Sequence, residues 1–199
     1  YASGHVFYGV PGHPAFPVRL ISEIFQRCWA IRQAMGLTTP VVLYDPCCGS
    51  AYHLSTLAYL HWHEIDTLIG SDIDANILSV AERNLSLLTQ SGIERRVGEI
   101  EAMQIQYGKT SHDAAAQSAQ QLGNQLQKHL ADHPIHTQLF AADATNDEAL
   151  RLAVRDRKID LVIADVPYGR QSNWQSTHKE VHPNESLLWQ MLESLSTIV

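Results

Sequence analysis

Four short runs in this chain, separated by helix-patterned stretches, each close on an aspartate. Val41-Val42-Leu43-Tyr44 leads into Asp45, and Thr67-Leu68-Ile69-Gly70-Ser71 into Asp72. His136-Thr137-Gln138-Leu139-Phe140-Ala141 precedes Asp143, and Ile159-Asp160-Leu161-Val162-Ile163-Ala164 ends at Asp165. Short apolar runs bounded by turn residues read as buried strands. Strands joined through helices pair in parallel, which predicts an α/β sheet covered on both faces. In such sheets the ligand sits at the carboxyl ends of the strands, near the point where the strand order reverses. Aspartate often starts turns, so one or two such endings arise by chance. Four mark a functional edge.

The intervening segments support this reading. Pro17 opens a helix whose apolar positions Val18, Leu20, Ile21, Ile24, Phe25, Cys28 and Trp29 keep helical spacing, and Gly36 is placed to end it. Residues 52–62, 77–88, 149–154 and 186–198 read as further helices. Residues 93–133 break the rhythm: Ala114-Ala115-Ala116 with Leu122, Leu126 and Leu130 fit one or two helices inserted on the surface. The chain is expected to be one domain over residues 1–199, with an N-terminal helical segment at 1–39. Its 199 residues, 45% apolar and 18% charged, are ordinary for one globular unit. No run approaches the roughly 20 apolar residues a membrane span needs, and no signal-like segment opens it. The expectation is a soluble, cytoplasmic protein with no membrane partner. Three cysteines make no disulfide framework, which fits a reducing compartment. Adjacent Cys47 and Cys48 lack the spacing that chelates one ion, so no metal site is expected.

The first loop, Asp45-Pro46-Cys47-Cys48-Gly49-Ser50-Ala51, lets the backbone pass close under a ligand at a helix start. It lacks the Gly-x-Gly-x-x-Gly that admits a pyrophosphate, which disfavours a nicotinamide oxidoreductase. A ligand with an amino-acid moiety, a ribose and an adenine suits it better. Asp45 would hold the ammonium, while Gly49 and Ser50 approach the carboxylate or thioether chain. Asp72 follows at about the 20-residue distance of a ribose-binding acid. Asp143 would accept from the adenine amino group, with Ile73 on the ring.

The run Asp165-Val166-Pro167-Tyr168 resembles the Asn/Asp-Pro-Pro-Tyr motif of amino-directed nucleic-acid methyltransferases, with Val166 replacing the first proline. The Asp165 carboxylate and Val166 carbonyl would accept the hydrogens of a base amine and point its lone pair at a methyl donor. For a ring nitrogen, Asp165 would take the proton directly. Pro167 would stiffen the turn. Tyr168 would stack on the base, a contact worth roughly 1–3 kcal/mol. A paired base cannot reach such a pocket, so the target must be unpaired or flipped.

Asp45-x-x-Cys48-Gly49-Ser50, Gly70-Ser71-Asp72-Ile73-Asp74 and Asp143 resemble class I methyltransferase motifs. Closer still, Pro11-Gly12-His13-Pro14-Ala15-Phe16-Pro17-Val18-Arg19-Leu20, Asp45-Pro46-Cys47-Cys48-Gly49-Ser50, Tyr107-Gly108-Lys109 and Asp165-x-Pro167-Tyr168-Gly169 resemble the avilamycin-resistance rRNA methyltransferases, from about residue 8 onward. The resemblance implies a Rossmann-like fold and S-adenosylmethionine as cofactor. It also implies methylation of a base nitrogen of a guanosine in 23S rRNA, with resistance to avilamycin-type orthosomycins as a consequence. It extends the cofactor set from Asp45, Cys48, Gly49, Ser50, Asp72, Ile73 and Asp143 to Phe16, Pro17, Ala51, Asp74 and Ala144. Two departures stand out. Ala51 replaces a loop glycine of the family, which predicts a slightly shifted backbone, and the chain stops at Val199, where such sheets usually continue, so the sheet is expected to be cut short at its C-terminal edge. An amino-methyltransferase for DNA adenine or tRNA guanine, and a non-catalytic cofactor- and RNA-binding module, stay open as alternatives. A net charge of −7 is unusual for an RNA partner; Arg19, Arg27 and Arg32 against Glu23 form the one clearly positive stretch. Arg95, Arg96, Lys109, Arg151, Arg155, Arg157 and Lys158 would extend it.

Overall fold

A computed structural model describes residues 6–10, 16–107, 110–155, 157–166 and 186–199, with the backbone alone at 107 and 110–112. In chain order its elements are α1 (Val18–Ala34), β1 (Val41–Asp45), α2 (Tyr52–Leu60), a 3-10 turn (Trp62–Glu64) and β2 (Ile65–Asp72). There follow α3 (Leu78–Ser86), α4 (Gln90–Tyr107), α5 (Thr110–Leu130), β3 (His136–Ala141), α6 (Asp147–Val154), β4 (Leu161–Val162) and α7 (Leu187–Ser196). The strands form one parallel sheet in the order β3-β2-β1-β4. The chain runs outward from β1 to β3, then returns to place β4 on the other side of β1. The order therefore reverses between β1 and β4, where Asp45 and Asp165 lie.

Period-two alternation along the strands divides the core. Val41, Leu43 and Leu68 face the layer containing Ile21, Phe25, Leu54, Leu57, Ala81 and Leu85 of α1 to α3. Tyr44 and Ile69 face Leu150, Val154, Met191 and Leu195 of α6 and α7. A wholly buried Phe25 contributes roughly 1.5–3 kcal/mol by area removed from water. The end of α1 follows from Gly36, whose φ of +81° closes the helix. There Gly36 N donates to Gln33 O at 2.9 Å and Leu37 N to Arg32 O at 3.0 Å, a Schellman cap.

Two expectations need correction. The α4–α5 hairpin is no surface appendage: Ile93, Ile100, Ala119, Leu122 and Leu126 are buried in the same core as α1 to α3. Its apolar residues looked sparse because only one narrow face of each helix is covered. The positive stretch is also reduced, with Arg19 left exposed. Arg32 is buried and pairs with Asp160 at 3.0 Å, while Arg27 pairs with Glu23 one helical turn away. Arg96 pairs with Glu99, and Arg151 with Asp147. Lys109 lies outside the described residues. Among the described helices none is long and apolar enough to cross a membrane.

Candidate functional site

The loop after β1 is built from its own backbone and from β2. Cys47 N donates to Asp45 Oδ1 (3.0 Å), Cys48 N to Ser71 O (2.8 Å) and Ala51 N to Cys48 O (2.7 Å). β2 runs two residues past the pairing of Asp45 with Gly70. Asp72 therefore reaches back over the loop and accepts from Gly49 N at 2.9 Å through Oδ2, and from Asp74 N at 3.0 Å through Oδ1. Gly49, at φ +51°, turns the chain left-handed. Ala51 does the same at φ +55°, ψ +26°, the left-handed conformation that a glycine adopts without strain. Alanine holds the left-handed conformation itself, at a cost of roughly 1–2 kcal/mol, and its methyl points into the core rather than into the loop's concave side.

All four strand-end aspartates converge. Burial pushes the Cys47 thiol up, and the charges of Asp45, Asp72, Asp165 and Asp143 each push it further. Asp45 is almost wholly buried, and its Oδ2 has no hydrogen-bond partner among the described residues. Its carboxyl is pushed up to about 7, by burial first and then by Asp72 and Asp165. Among the described residues no lysine or arginine pairs with Asp45, Asp72 or Asp165. A carboxylate in that setting calls for a cation from elsewhere.

Other candidates fall less evenly. Ser50 is half-buried, and its carbonyl accepts from Asn84 Nδ2 at 2.9 Å. Cys48 is buried with its sulfur 3.7 Å from Gly49 O. Ile73 is half-buried, whereas Asp74 is exposed and accepts from Asn76 N at 2.9 Å, a turn role. Asp143 is buried and accepts from Thr145 N (2.9 Å) and Thr145 Oγ1 (2.6 Å). Ala144 packs into the layer of α6 and α7. Phe16 packs against the core with its ring edge on His53, centroids 5.3 Å apart, while Pro17 is exposed and precedes α1. Asp165 and Val166 are half-buried just past β4, with Val166 against the core. Pro167, Tyr168 and Gly169 lie outside the described residues.

Two residues at this edge escaped the sequence reading. His53, in the first turn of α2, places Nδ1 4.0 Å from Asp45 Oδ2. Burial holds its imidazole below the usual histidine value, against the opposing pull of Asp165. Buried Asn84 accepts from Tyr8 N (2.7 Å) and donates to Tyr8 O (3.0 Å) as well as to Ser50 O. It thereby pins the segment before α1 to the β1 loop. No spacing rule along the chain links either residue to Asp45.

Comparison with known proteins agrees with this architecture. A family model described as rRNA methyltransferase AviRa matches residues 1–199. The chain is 38% identical over 174 residues to the 23S rRNA (guanine(2535)-N(1))-methyltransferase of Streptomyces viridochromogenes, covering 87% of this chain and 68% of that protein. The rRNA methyltransferase aviRa of Streptomyces viridochromogenes, solved at 1.5 Å, superposes with a TM-score of 0.84 at 35% identity, covering 98% of this chain and 75% of the other. Its 2.4 Å structure gives a TM-score of 0.81 at 34% identity, with the same coverage. Whole-length agreement with the family model, together with identity and fold similarity over nearly all of the chain, places this protein in the AviRa rRNA methyltransferase family.

Proposed function

We propose that this chain transfers a methyl group from S-adenosylmethionine to N1 of an unpaired or flipped guanine in 23S rRNA. The observation carrying the reading is the cluster of strand-end carboxylates around a buried Asp45 Oδ2 that has no hydrogen-bond partner among the described residues. Such a cluster repels a dinucleotide's pyrophosphate and attracts a ligand bearing an ammonium and a sulfonium. That orphaned oxygen is the fit expected for the ammonium, so the residues present suit this cofactor. When bound, S-adenosylmethionine supplies an electrophilic methyl carbon to an incoming nitrogen.

Each residue has a part to play. Asp45 binds the ammonium, and Asp72 accepts from ribose hydroxyls with the lone pairs its two backbone bonds leave free. Cys48, Gly49, Ser50 and Ala51 form the floor beneath the methionine part, and Ile73 and Asp143 flank the adenine. Phe16 covers the site from the α1 side, and Ala144 supports it from the core. Pro17 and Asp74 shape the flanking turns. Neutral His53 adds no positive charge to a pocket meant for a cation. Guanine N1 carries a hydrogen, so forming its bond to the methyl carbon requires that proton to leave. In this reading Asp165 accepts it, and the Val166 carbonyl accepts from the neighbouring amine. For Pro167 and Tyr168, which lie outside the described residues, the resemblance implies a turn and a stacking role. Holding the nitrogen in line with the methyl carbon supplies most of the acceleration.

The test uses labelled cofactor with 23S rRNA, tRNA and DNA in parallel. Label is expected in 23S rRNA, at a guanine where reverse transcription stops because N1 no longer pairs. Asp165→Ala is expected to lower the transfer rate by about 100-fold or more, the span of a lost general base. Its S-adenosylhomocysteine affinity should stay within about threefold, since Asp165 is assigned to the base and not to the cofactor. Label confined to tRNA or DNA refutes the substrate, and full activity in Asp165→Ala refutes the assigned proton acceptor. Protection of cells against an avilamycin-type drug by the active enzyme would add the resistance role.

A further inference from the structure

At the opposite end of β2 from the aspartates, three side chains from distant parts of the chain meet. His63 lies in the 3-10 turn before β2, and Asp132 and His133 follow α5. His63 Nδ1 stands 2.8 Å and His133 Nδ1 3.4 Å from the same oxygen, Asp132 Oδ2. We propose that His63, Asp132 and His133 form a binding site for one divalent transition-metal ion of the zinc type.

The orientation of the His133 ring supports this. Its Nε2 is 3.2 Å from Ile65 O, a carbonyl that can only accept, so Nε2 carries the hydrogen. That leaves Nδ1 facing the carboxylate oxygen of Asp132. A metal ion satisfies both, and an imidazole whose other nitrogen donates to a backbone carbonyl is the usual outer support of a metal-bound histidine. The three potential ligand atoms lie within 4.8 Å of one another. His63 is 65% exposed, so its ring has room to open around an ion.

The base beneath them is rigid. Trp62 is buried, donates through Nε1 to His133 O at 2.9 Å, and stacks on His129 at 4.8 Å and 6°. Two imidazole nitrogens and one carboxylate oxygen suit zinc or its neighbours, with a further position left to water, and suit magnesium poorly. The sequence expectation of no metal rested on ligand spacing within one segment, and this cluster joins residues nearly seventy positions apart. Such an ion would clasp the end of α5 to the start of β2. Ile65 and Asp72 are separated by about 23 Å of strand at about 3.3 Å per residue, so the site is independent of the proposed methyl transfer.

The experiment uses the untagged chain, stripped with EDTA and dialysed, titrated with Zn2+ by calorimetry and thermal unfolding. One equivalent is expected to bind. At a hundredfold excess over Kd the unfolding midpoint should rise by roughly 5 °C, and Mg2+ should give no shift. His63→Ala, on an exposed side chain, and His133→Ala should each weaken binding at least tenfold, whereas His136→Ala should leave it unchanged. Absence of Zn2+ uptake at micromolar concentration overturns the site. So does uptake that survives both His63→Ala and Asp132→Asn, since that is ion held elsewhere on the chain.

Discussion

Acids largely covered from solvent stand at both ends of the sheet, and they are treated differently. At the amino end Asp160 accepts from Arg32 Nη1 at 3.0 Å and from Val42 N at 2.9 Å, both side chains largely covered. At the carboxyl end Asp45 receives one backbone donor, and its other oxygen has no hydrogen-bond partner among the described residues. Asp160 is neutralised by the fold. Asp45 is held in a costly state that the fold alone does not relieve, and such states persist where a ligand completes them. The contrast separates an acid that fastens α1 to the sheet from acids that the proposed function assigns to binding.

Breaking the amino-end pair should have the largest effect on stability. Arg32→Ala leaves Asp160 charged and partly buried without its partner, and should lower the unfolding free energy by about 3 kcal/mol, checked by denaturant melts. A loss under about 1 kcal/mol would show that this pair is not the structural acid the comparison makes it.

Asp45→Asn should do the reverse. S-adenosylhomocysteine affinity should fall by about tenfold to a hundredfold, the worth of a charged hydrogen bond, while the ligand-free protein becomes no less stable. The pH dependence sharpens this. The folded carboxyl holds its proton up to about 7 and the unfolded one only to about 4, so between those values the folded state binds more protons and stability falls as pH rises. Depressed His53 acts oppositely, adding stability as pH rises towards its ordinary value. Ammonium binding needs the ionised Asp45. Affinity in the wild type should therefore climb by up to about tenfold per pH unit below 7 and level off above it, with proton release visible by calorimetry in two buffers. A flat profile in the wild type, or an unchanged slope in Asp45→Asn, would place the cationic contact elsewhere.

Ala51→Gly should have the smallest effect. It relieves the left-handed strain but removes a buried methyl worth about 0.8 kcal/mol, leaving stability within about 1 kcal/mol and ligand affinity unaltered. A marked change in affinity would mean that the methyl meets the ligand after all.

Local pattern made much of the carboxyl end legible. Apolar runs, a Gly-Ser loop and an acid closing each strand sit within a few residues of one another, so strand, turn and candidate ligand group are read together. His53 and Asn84 were missed because their roles depend on Asp45, Tyr8 and Ser50 across the fold. Arg32 was misread for the same reason, its charge cancelled by a residue more than a hundred positions away. The helical hairpin was taken for an appendage because a one-sided apolar face looks thin in sequence.

What the amino-acid sequence determined by itself was the parallel sheet, the aspartate at the end of each strand and the family motifs, all products of short-range periodicity and turn chemistry. Tertiary structure alone decided which acids are paired, which are stranded, and which histidines meet. Charge pairing and burial act through space, and no rule of spacing along a chain says what will lie opposite once the strands are ordered β3-β2-β1-β4.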